Sequence, residues 1–317
     1  MVDPSPYVLN GLLSRSGGLR GDMRPLNTNP RILLVVAAML VVLRPGEAQD
    51  WASSGFADVN GVRLHYRIVG EGEPMLLVHG FTNVGQVWNP FLDPLGDNRL
   101  LIIPDLRGHG LSTNPGGEFT HRLAAQDLLA LLDELEVQSV VGVGHSSGAL
   151  ALLELALLAP ERLEAMVLID GVHRFSDETR EIMAGVDADS MLTALPNLFG
   201  AMIEWHAGGM TQLRELAEQV RTFGADPTEG AHAPAAIRDI EVPTLIVHGD
   251  RDDLYPVAMA VELYELLPNA ELWIMPGVDH GAFFGYQFDP EEERCTACVI
   301  AGAQFPAVVN GFLERVR

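Results

Sequence analysis

The sequence predicts an α/β protein with a mostly parallel sheet flanked by helices and with a helical cap insertion. Three observations predict this class. Short apolar runs recur along the 317 residues with helical or loop segments between them. The later runs are apolar throughout, as strands buried on both faces of a parallel sheet must be. One interval, 171–240, interrupts this alternation, and 48% of the residues are apolar, which is enough for a sizeable core.

The first apolar run, 62–69, alternates polar and apolar residues and is predicted as an antiparallel edge strand. Six later runs are predicted as further strands, at 74–79, 100–105, 139–144, 165–170, 243–248 and 271–275. Helices are predicted at 121–135, with Thr120 as N-cap, at 148–158 and at 306–316. Strands that alternate with helices imply parallel pairing with right-handed crossovers.

The interval 171–240 is rich in Met, Ala, Glu and Asp and contains helical stretches near 177–185 and 211–222. It shows no strand of its own. We expect it to form a cap over one end of the sheet, inserted into a single domain that spans residues 49–317.

The first 48 residues have the pattern of an export signal. A long n-region, 1–31, precedes an h-region of twelve apolar residues, 32–43, and small residues follow up to Ala48. A bilayer span needs about 18–20 apolar residues, so this run is short for one. A start at Met23, a buried helix and an uncleaved anchor are alternatives. We expect a periplasmic or secreted protein without a stable membrane span, with the cytoplasm as the alternative. The n-region carries Arg15, Arg20, Arg24 and Arg31.

The charge composition excludes several classes of function. The chain has 20 basic and 43 acidic residues and a net charge of −23. Phosphate-binding surfaces need clustered cations, so nucleic acid is not expected as a partner. All the basic residues are arginine. The absence of lysine from the sequence excludes a Schiff-base or pyridoxal-phosphate lysine and a Walker-type phosphate site.

The strongest motif is Gly144-His145-Ser146-Ser147-Gly148, a G-x-S-x-G pattern between a predicted strand and a predicted helix. Flanking glycines allow a sharp turn that exposes the Ser146 hydroxyl at the carboxyl edge of the sheet. A serine hydroxyl is a poor nucleophile near neutral pH, so it needs a base, and the base needs an orienting acid.

Candidates for the acid and the base follow two later strands. The loop after 243–248 contains Asp250, Asp252 and Asp253, and His280 follows the strand at 271–275. Open α/β sheets build their sites at this edge. The chain order Ser, Asp, His is that of hydrolases with a nucleophile elbow.

With these motifs the sequence resembles the α/β-hydrolase superfamily from about residue 57 to 317. His79-Gly80-Phe81-Thr82 resembles the family's oxyanion loop, and the segment 105–110 resembles its turn after the fourth strand. The segment 249–252, with Pro256 beyond it, resembles the family's acid loop.

The resemblance implies an α/β-hydrolase fold and a triad of Ser146, Asp252 and His280, with Asp252 as the acid rather than Asp250 or Asp253. It also implies an oxyanion hole made by the backbone N–H groups of Phe81 and Ser147. No metal or organic cofactor is required by this mechanism, and no pair of histidines has the spacing of a zinc site.

The resulting expectation is a serine hydrolase that cleaves a small-molecule carboxylic ester through an acyl-enzyme. A lactonase, a carbon–carbon bond hydrolase and a perhydrolase share the triad and remain alternatives. A non-catalytic homologue that binds a ligand is the alternative from another class. Serine at position 146 argues against haloalkane dehalogenases and epoxide hydrolases of this fold, which use aspartate there. The oligomeric state is left open.

Several residues have two interpretations. Trp88 and Trp205 are candidates for the wall of the substrate pocket, and burial in the core explains each equally well. Cys295 and Cys298 form either a local disulfide or two thiols. The stretch 282–302 is longer than in the family and follows His280, so it is a candidate rim of the pocket. Four histidines are predicted to be scaffold residues of strands and turns, namely His79, His109, His145 and His248.

Overall fold

An eight-stranded sheet forms the centre of the structure, a computed structural model that describes residues 53–194, 196–280 and 296–317. The strands are β1 Ser53–Val59, β2 Val62–Val69, β3 Glu73–Val78, β4 Arg99–Pro104, β5 Val140–His145, β6 Leu163–Ile169, β7 Thr244–Gly249 and β8 Ala270–Met275. Their order is β1-β2-β4-β3-β5-β6-β7-β8. The β1–β2 and β2–β4 pairs are antiparallel, and the other pairs are parallel. The predicted mostly parallel sheet is therefore confirmed.

The predicted edge strand, β2, is not at the edge of the sheet. It pairs with β4 on one side and with β1 on the other, so β1 is the strand at this edge of the sheet. β1 reads SSGFADV and has mostly exposed side chains, so its sequence carries little strand signal. Asn60 and Gly61 connect β1 to β2 with φ values of 46° and 78°. An Asn-Gly pair between two strands is the usual signal of a tight hairpin, so this pair is the sequence feature that could have indicated β1.

Helices lie on both faces of the sheet. α1 spans Leu92–Leu95, α2 His121–Glu134, α3 Ser147–Leu158, α9 Val257–Leu266 and α10 Thr296–Val316, with 3-10 helices at Gly85–Phe91 and Pro160–Arg162. α2 begins after Thr120, whose hydroxyl accepts a hydrogen bond from the backbone N–H of Leu123, as the prediction of an N-cap requires. α10 begins well before its predicted start at residue 306 because it continues through Pro306.

The side chains of the central strands divide between two hydrophobic clusters. Within β3, Leu76 and Val78 join a cluster that includes α2, α3 and much of the chain between β6 and β7. Met75 and Leu77 join a second cluster, with Trp88 and α10, on the opposite face. This alternation follows from the two-residue period of a strand, and it buries β5, the central strand that ends at the nucleophile motif, on both faces.

Five helices lie between β6 and β7, and we call residues 171–240 the helical insertion. They are α4 Asp177–Ala184, α5 Ala188–Ala194, α6 Pro196–Trp205, α7 Gly209–Ala225 and α8 Pro234–Arg238. The insertion contacts the turn that follows β4, where the N–H of Ala207 donates to the carbonyl of Gly110 and Gln212 donates to the carbonyl of Gly108. It therefore lies at the carboxyl edge of the sheet.

The expectations for residues 1–48, Cys295 and the greater part of 282–302 fall outside the described residues. Within the described ranges, no helix combines the length and the apolarity needed to cross a bilayer.

Candidate active site

Ser146 occupies a sharp turn between β5 and α3. Its φ and ψ are 52° and −119°, a region that a residue with a side chain rarely adopts. Both glycines of the motif are required by close contacts. A Cβ on Gly144 would lie 2.5 Å from the carbonyl oxygen of Gly148, and a Cβ on Gly148 would lie 2.4 Å from the carbonyl oxygen of Val78. The local sequence therefore determines the strained conformation of the serine.

Three side chains that are far apart in sequence meet at this turn. The Oγ atom of Ser146 lies 3.0 Å from Nε2 of His280, and Nδ1 of His280 lies 2.7 Å from Oδ2 of Asp252. A carboxylate only accepts hydrogen bonds, so Nδ1 carries the imidazole proton and Nε2 accepts from the serine hydroxyl. This arrangement can remove the proton from Ser146 when its oxygen attacks an electrophile.

The two neighbouring carboxylates lie elsewhere. Asp250 accepts a hydrogen bond from the backbone N–H of Gly277 at 2.6 Å, and Asp253 is exposed. Among the three candidate acids, Asp252 is the one that the structure brings to His280.

The electrostatic environment favours a protonated imidazole at His280. Burial alone disfavours the charged ring, but the charges of Asp252, Asp170 and Asp279 and the hydrogen bond that His280 donates to Asp252 outweigh it and raise the pKa of His280. Burial also raises the pKa of the adjacent Asp279 carboxyl to about 6. The base, His280, is therefore surrounded by acidic side chains.

The loop that follows β3 lies directly against the nucleophile. A Cβ on Gly80 would be 2.7 Å from Nδ1 of His145 and 3.2 Å from Cβ of Ser146. His79 fixes this loop, because its Nδ1 donates to the carbonyl of Gly80 and its Nε2 accepts from the N–H of Leu106. Burial lowers the pKa of His79 to about 4, which keeps its ring neutral at physiological pH.

The two predicted oxyanion donors come from this loop and from α3. Phe81 follows Gly80, and its side chain is buried. Ser147 is the first residue of α3, and Ser146 makes no side-chain capping bond to that helix. The first N–H groups of a helix have no partner within the helix, so the amide of Ser147 is available to a developing negative charge at this position.

Asp170 is a site residue that the sequence analysis missed. It follows β6, is fully buried, has a φ of 48°, and accepts a hydrogen bond from the N–H of Gly249. His145 and His248 each place a ring nitrogen 3.7 Å from its carboxylate. Burial opposes ionisation, yet these rings and that of His280 lower the pKa of Asp170 well below its usual range. Its position as the last residue of a predicted strand, 165–170, was the available signal.

One cluster near the triad has the composition of a metal site. Atoms of Asp170, His248 and Asp252 lie within 4.8 Å of one another. However, Nε2 of His248 donates to the carbonyl of Tyr255 at 2.7 Å, and Asp252 uses both of its oxygens in hydrogen bonds. These side chains therefore fit a hydrogen-bonded support for the triad better than a set of free ligands.

Tyr255 is a second residue that the sequence analysis missed. Its ring packs edge-on against His280 at 5.0 Å and stacks on Phe175 of the helical insertion at 5.9 Å. Burial, the strongest influence, and the charge of Asp252 raise the pKa of its hydroxyl, which also interacts with Ser146. These rings cover the edge of the sheet, so Ser146 is only 3% exposed, whereas the sequence predicted an exposed hydroxyl.

The two tryptophans that the sequence proposed for the pocket wall lie apart from the triad contacts. Trp88 is fully buried in the cluster between the sheet and α10. Trp205 is half-buried at the end of α6 and lines a cavity of about 280 Å³ together with Arg67 and Asp105.

Comparison with known proteins finds hydrolases among the proteins that this chain resembles. The model of the "Alpha/beta hydrolase family" matches residues 75–293. The chain is 29% identical over 258 residues to 2-(acetamidomethylene)succinate hydrolase of Mesorhizobium japonicum, which covers 74% of this chain and 92% of the relative. It is 28% identical over 239 residues to the serine hydrolase BPHL of Mus musculus, covering 70% of this chain and 78% of the relative.

A solved structure gives the same picture of the fold. The meta-cleavage product hydrolase from Pseudomonas fluorescens IP01 superposes with a TM-score of 0.64 and 21% identity, covering 84% of this chain and 99% of that chain.

Proposed function

The chain belongs to the α/β-hydrolase family, and on this premise we propose that it is a serine hydrolase that cleaves carboxylic esters with Ser146 as the nucleophile. The observation that supports the proposal is the contact sequence from Ser146 Oγ to His280 at 3.0 Å and from His280 to Asp252 at 2.7 Å. A protein that only binds a ligand has no need for all three groups in this geometry.

The proposed reaction has two steps. In the first, Oγ of Ser146 attacks the ester carbonyl carbon while its proton passes to Nε2 of His280. The amides of Phe81 and Ser147 bind the oxyanion, a contribution of about 3–4 kcal/mol per donor in other enzymes. The C–O bond to the alcohol breaks, and His280 returns the proton to the departing alkoxide. The product of this step is an ester of Ser146 with the acyl group.

In the second step, water enters and His280 removes one of its protons. The hydroxide attacks the acyl carbon, and the same two amides bind the second oxyanion. The bond to Oγ then breaks, His280 reprotonates Ser146, and the carboxylic acid leaves. Asp252 holds the imidazole in the required tautomer and stabilises the imidazolium in both steps.

The proposed substrate is small to medium and at least partly apolar, and the aromatic surroundings of the triad support its apolar part. The ring of Tyr255 packs against His280, and Phe175 stacks on Tyr255. Phe223 of α7 contacts both Phe175 and Phe81, the residue of the oxyanion loop. Aromatic side chains therefore extend from the base to the oxyanion loop.

Hydrolysis of 4-nitrophenyl acetate and butyrate by the wild type and by Ser146→Ala tests the proposal. We expect the wild type to turn both over and Ser146→Ala to lose roughly 10⁴-fold or more in kcat. Ser139→Ala removes a hydroxyl that bonds to Glu164 on the surface and is the matched control. Equal turnover by wild type and Ser146→Ala would refute the nucleophile assignment.

A substrate panel tests the ester assignment separately. Lactones and vinylogous diketones are compared with esters of increasing acyl length. A higher kcat/KM for a lactone or a diketone, lost in Ser146→Ala, would retain the nucleophile and replace the ester as substrate.

A further inference from the structure

A second serine–histidine–carboxylate contact chain lies beside the nucleophile. Nε2 of His121 is 3.1 Å from Oγ of Ser147, and Nδ1 of His121 forms a short contact with Oε1 of Glu229. Ser147 and His121 are each only 2% exposed. The order of groups is the same as in the triad, but the serine is the residue whose backbone amide is assigned to the oxyanion hole.

The acceptor atoms of this contact chain indicate where the protons of His121 and Ser147 lie. Oε1 of Glu229 faces both Nδ1 of His121 and the backbone N–H of His121, at 2.9 Å for the latter. Because a carboxylate accepts, Nδ1 carries the proton and Nε2 is an acceptor. The hydroxyl of Ser147 therefore donates its proton to His121. Burial opposes ionisation of Glu229, but the hydrogen bonds from His121 outweigh it and lower the pKa of this carboxyl.

The direction of this hydroxyl matters because of where Ser147 lies. It is the first residue of α3, so its side chain and its backbone amide belong to the same turn of the helix. A hydroxyl bonded to His121 anchors this residue. The bond can therefore hold the Ser147 amide in the direction that a developing oxyanion requires.

Glu229 belongs to the helical insertion and not to the sheet. Arg180 donates to four carbonyl groups at the end of α7 and in the loop that carries Glu229, those of Gly224, Asp226, Pro227 and Glu229. The N–H of Phe175 also donates to the carbonyl of Gly230 at 2.7 Å. The carboxylate that orients His121 is therefore held by other residues of the insertion.

We propose that His121 and Glu229 are positioning residues that act through the Ser147 hydroxyl on the amide that binds the oxyanion. By this contact chain the oxyanion hole is complete only when the helical insertion is seated on the sheet. The inference rests on the proposed function, since it concerns the same serine hydrolase site. The insertion contributes to transition-state stabilisation as well as covering the substrate.

Three single variants test this proposal, namely Ser147→Ala, His121→Phe and Glu229→Gln. We expect kcat for 4-nitrophenyl butyrate to fall by roughly 10-fold in each, less than the ~10²–10³-fold that follows outright removal of an oxyanion donor. KM is expected to stay close to the wild-type value. The Ki of a trifluoromethyl ketone, which forms a tetrahedral oxyanion with the serine, is expected to rise by the same factor as kcat/KM falls.

The double variants Ser147→Ala/His121→Phe and Ser147→Ala/Glu229→Gln separate positioning from support of the fold. If both residues act through the Ser147 hydroxyl, each double variant has the kcat of Ser147→Ala alone. Glu218→Gln, an exposed glutamate of α7 beside Arg221, is the matched control and is expected to leave kcat unchanged.

Additive losses in the double variants, or losses in KM alone, would overturn the inference. So would unchanged kcat in Ser147→Ala, the smallest of the substitutions, whose folding is checked by thermal unfolding. An inactive wild type, or an active Ser146→Ala, would instead overturn the proposed function and this inference with it. If the wild type is active and Ser147→Ala has the same kcat, only the inference is overturned and the proposed function stands.

Discussion

The carboxylate of Asp252 is fixed on both sides. Its Oδ2 lies 2.7 Å from Nδ1 of His280, while its Oδ1 accepts the backbone N–H groups of Leu254 and Tyr255 at 2.8 and 2.7 Å. The loop after β7 thus holds the plane of the carboxylate before any substrate is present. An orienting acid needs this rigidity, because a tilted carboxylate would turn the imidazole away from the serine.

Replacement of this acid by its amide is the first prediction. Asp252→Asn keeps the shape of the side chain but allows its amide to favour the wrong tautomer of His280. We expect kcat to fall by about 10³–10⁴-fold, as in other enzymes with such a triad. The measurement is kcat for a 4-nitrophenyl ester at a pH above the pKa of His280.

The neighbouring aspartates provide the controls for this prediction. Asp250→Asn changes a carboxylate that accepts a hydrogen bond from the N–H of Gly277, and Asp253→Asn changes one that faces solvent. Both are expected to keep most of the wild-type kcat. A larger loss in either one than in Asp252→Asn would show that the acid is assigned to the wrong residue.

The second prediction concerns the pH dependence of the base. The negative charge of Asp279 is one of the influences that raise the pKa of His280, and the pKa of Asp279 itself is raised to about 6 by burial. A general base must be neutral, so kcat/KM falls as the pH drops through the pKa of His280. Asp279→Asn removes a negative neighbour and lowers that pKa, so the acid limb of the profile moves to lower pH.

Glu271→Gln is a matched control for Asp279→Asn, because Glu271 pairs with Arg315 at the surface. Its kcat/KM profile is expected to coincide with that of the wild type. An acid limb that moves to higher pH in Asp279→Asn would contradict the assigned influence of Asp279.

The sheet and the triad residues were within reach of sequence reasoning because their signals are local. Continuous apolar runs predicted the buried strands, and each candidate for the triad lies in the turn or loop that follows one of them. The glycines on either side of Ser146 were an equally local signal, because Gly144 and Gly148 lie where a Cβ would meet backbone atoms. The sequence therefore predicts Ser146, Asp252 and His280 as the triad without knowledge of their distances.

The missed features depend on contacts between distant segments. β1 has few apolar residues and is a strand because it pairs with β2. The role of His121 beside Ser147 depends on Glu229, more than a hundred residues away in the chain. No spacing rule predicts such a meeting, because the path of the helical insertion decides it. Asp170 was the exception, since it is the last residue of a predicted strand and so lies at the same edge of the sheet as the triad residues.

The third prediction uses the close contact between the oxyanion loop and the nucleophile turn. A Cβ on Gly80 would lie 2.7 Å from the ring of His145 and 3.2 Å from Cβ of Ser146. Gly80→Ala therefore displaces the loop that carries the Phe81 amide, and we expect kcat to fall by about 10²-fold or more, as when an oxyanion donor is lost. Gly116→Ala is the control, because no atom lies within 4 Å of a Cβ there.

For Gly80→Ala, circular dichroism and thermal unfolding are measured beside kcat. A folded variant with wild-type kcat would show that the loop does not contribute to the reaction.

The fourth prediction concerns a buried ion pair between the turn after β4 and helix α2. Arg107 makes two hydrogen bonds to Asp127, at 2.7 and 2.8 Å, and both side chains are buried. Asn60 donates to the same carboxylate. Arg107→Met leaves the charge of Asp127 buried without its cation. We expect the free energy of unfolding in urea to fall by about 3–5 kcal/mol.

Two further variants distinguish this cost from a general effect of removing arginine. Arg214→Met breaks an exposed pair with Asp189, so solvent screens the remaining charge and we expect a much smaller loss than in Arg107→Met. In Arg107→Met/Asp127→Leu the unpaired charge is gone, so this double variant is expected to be more stable than Arg107→Met alone. If the double variant is the less stable of the two, the attraction within the pair, and not the desolvated charge left behind, determines the loss.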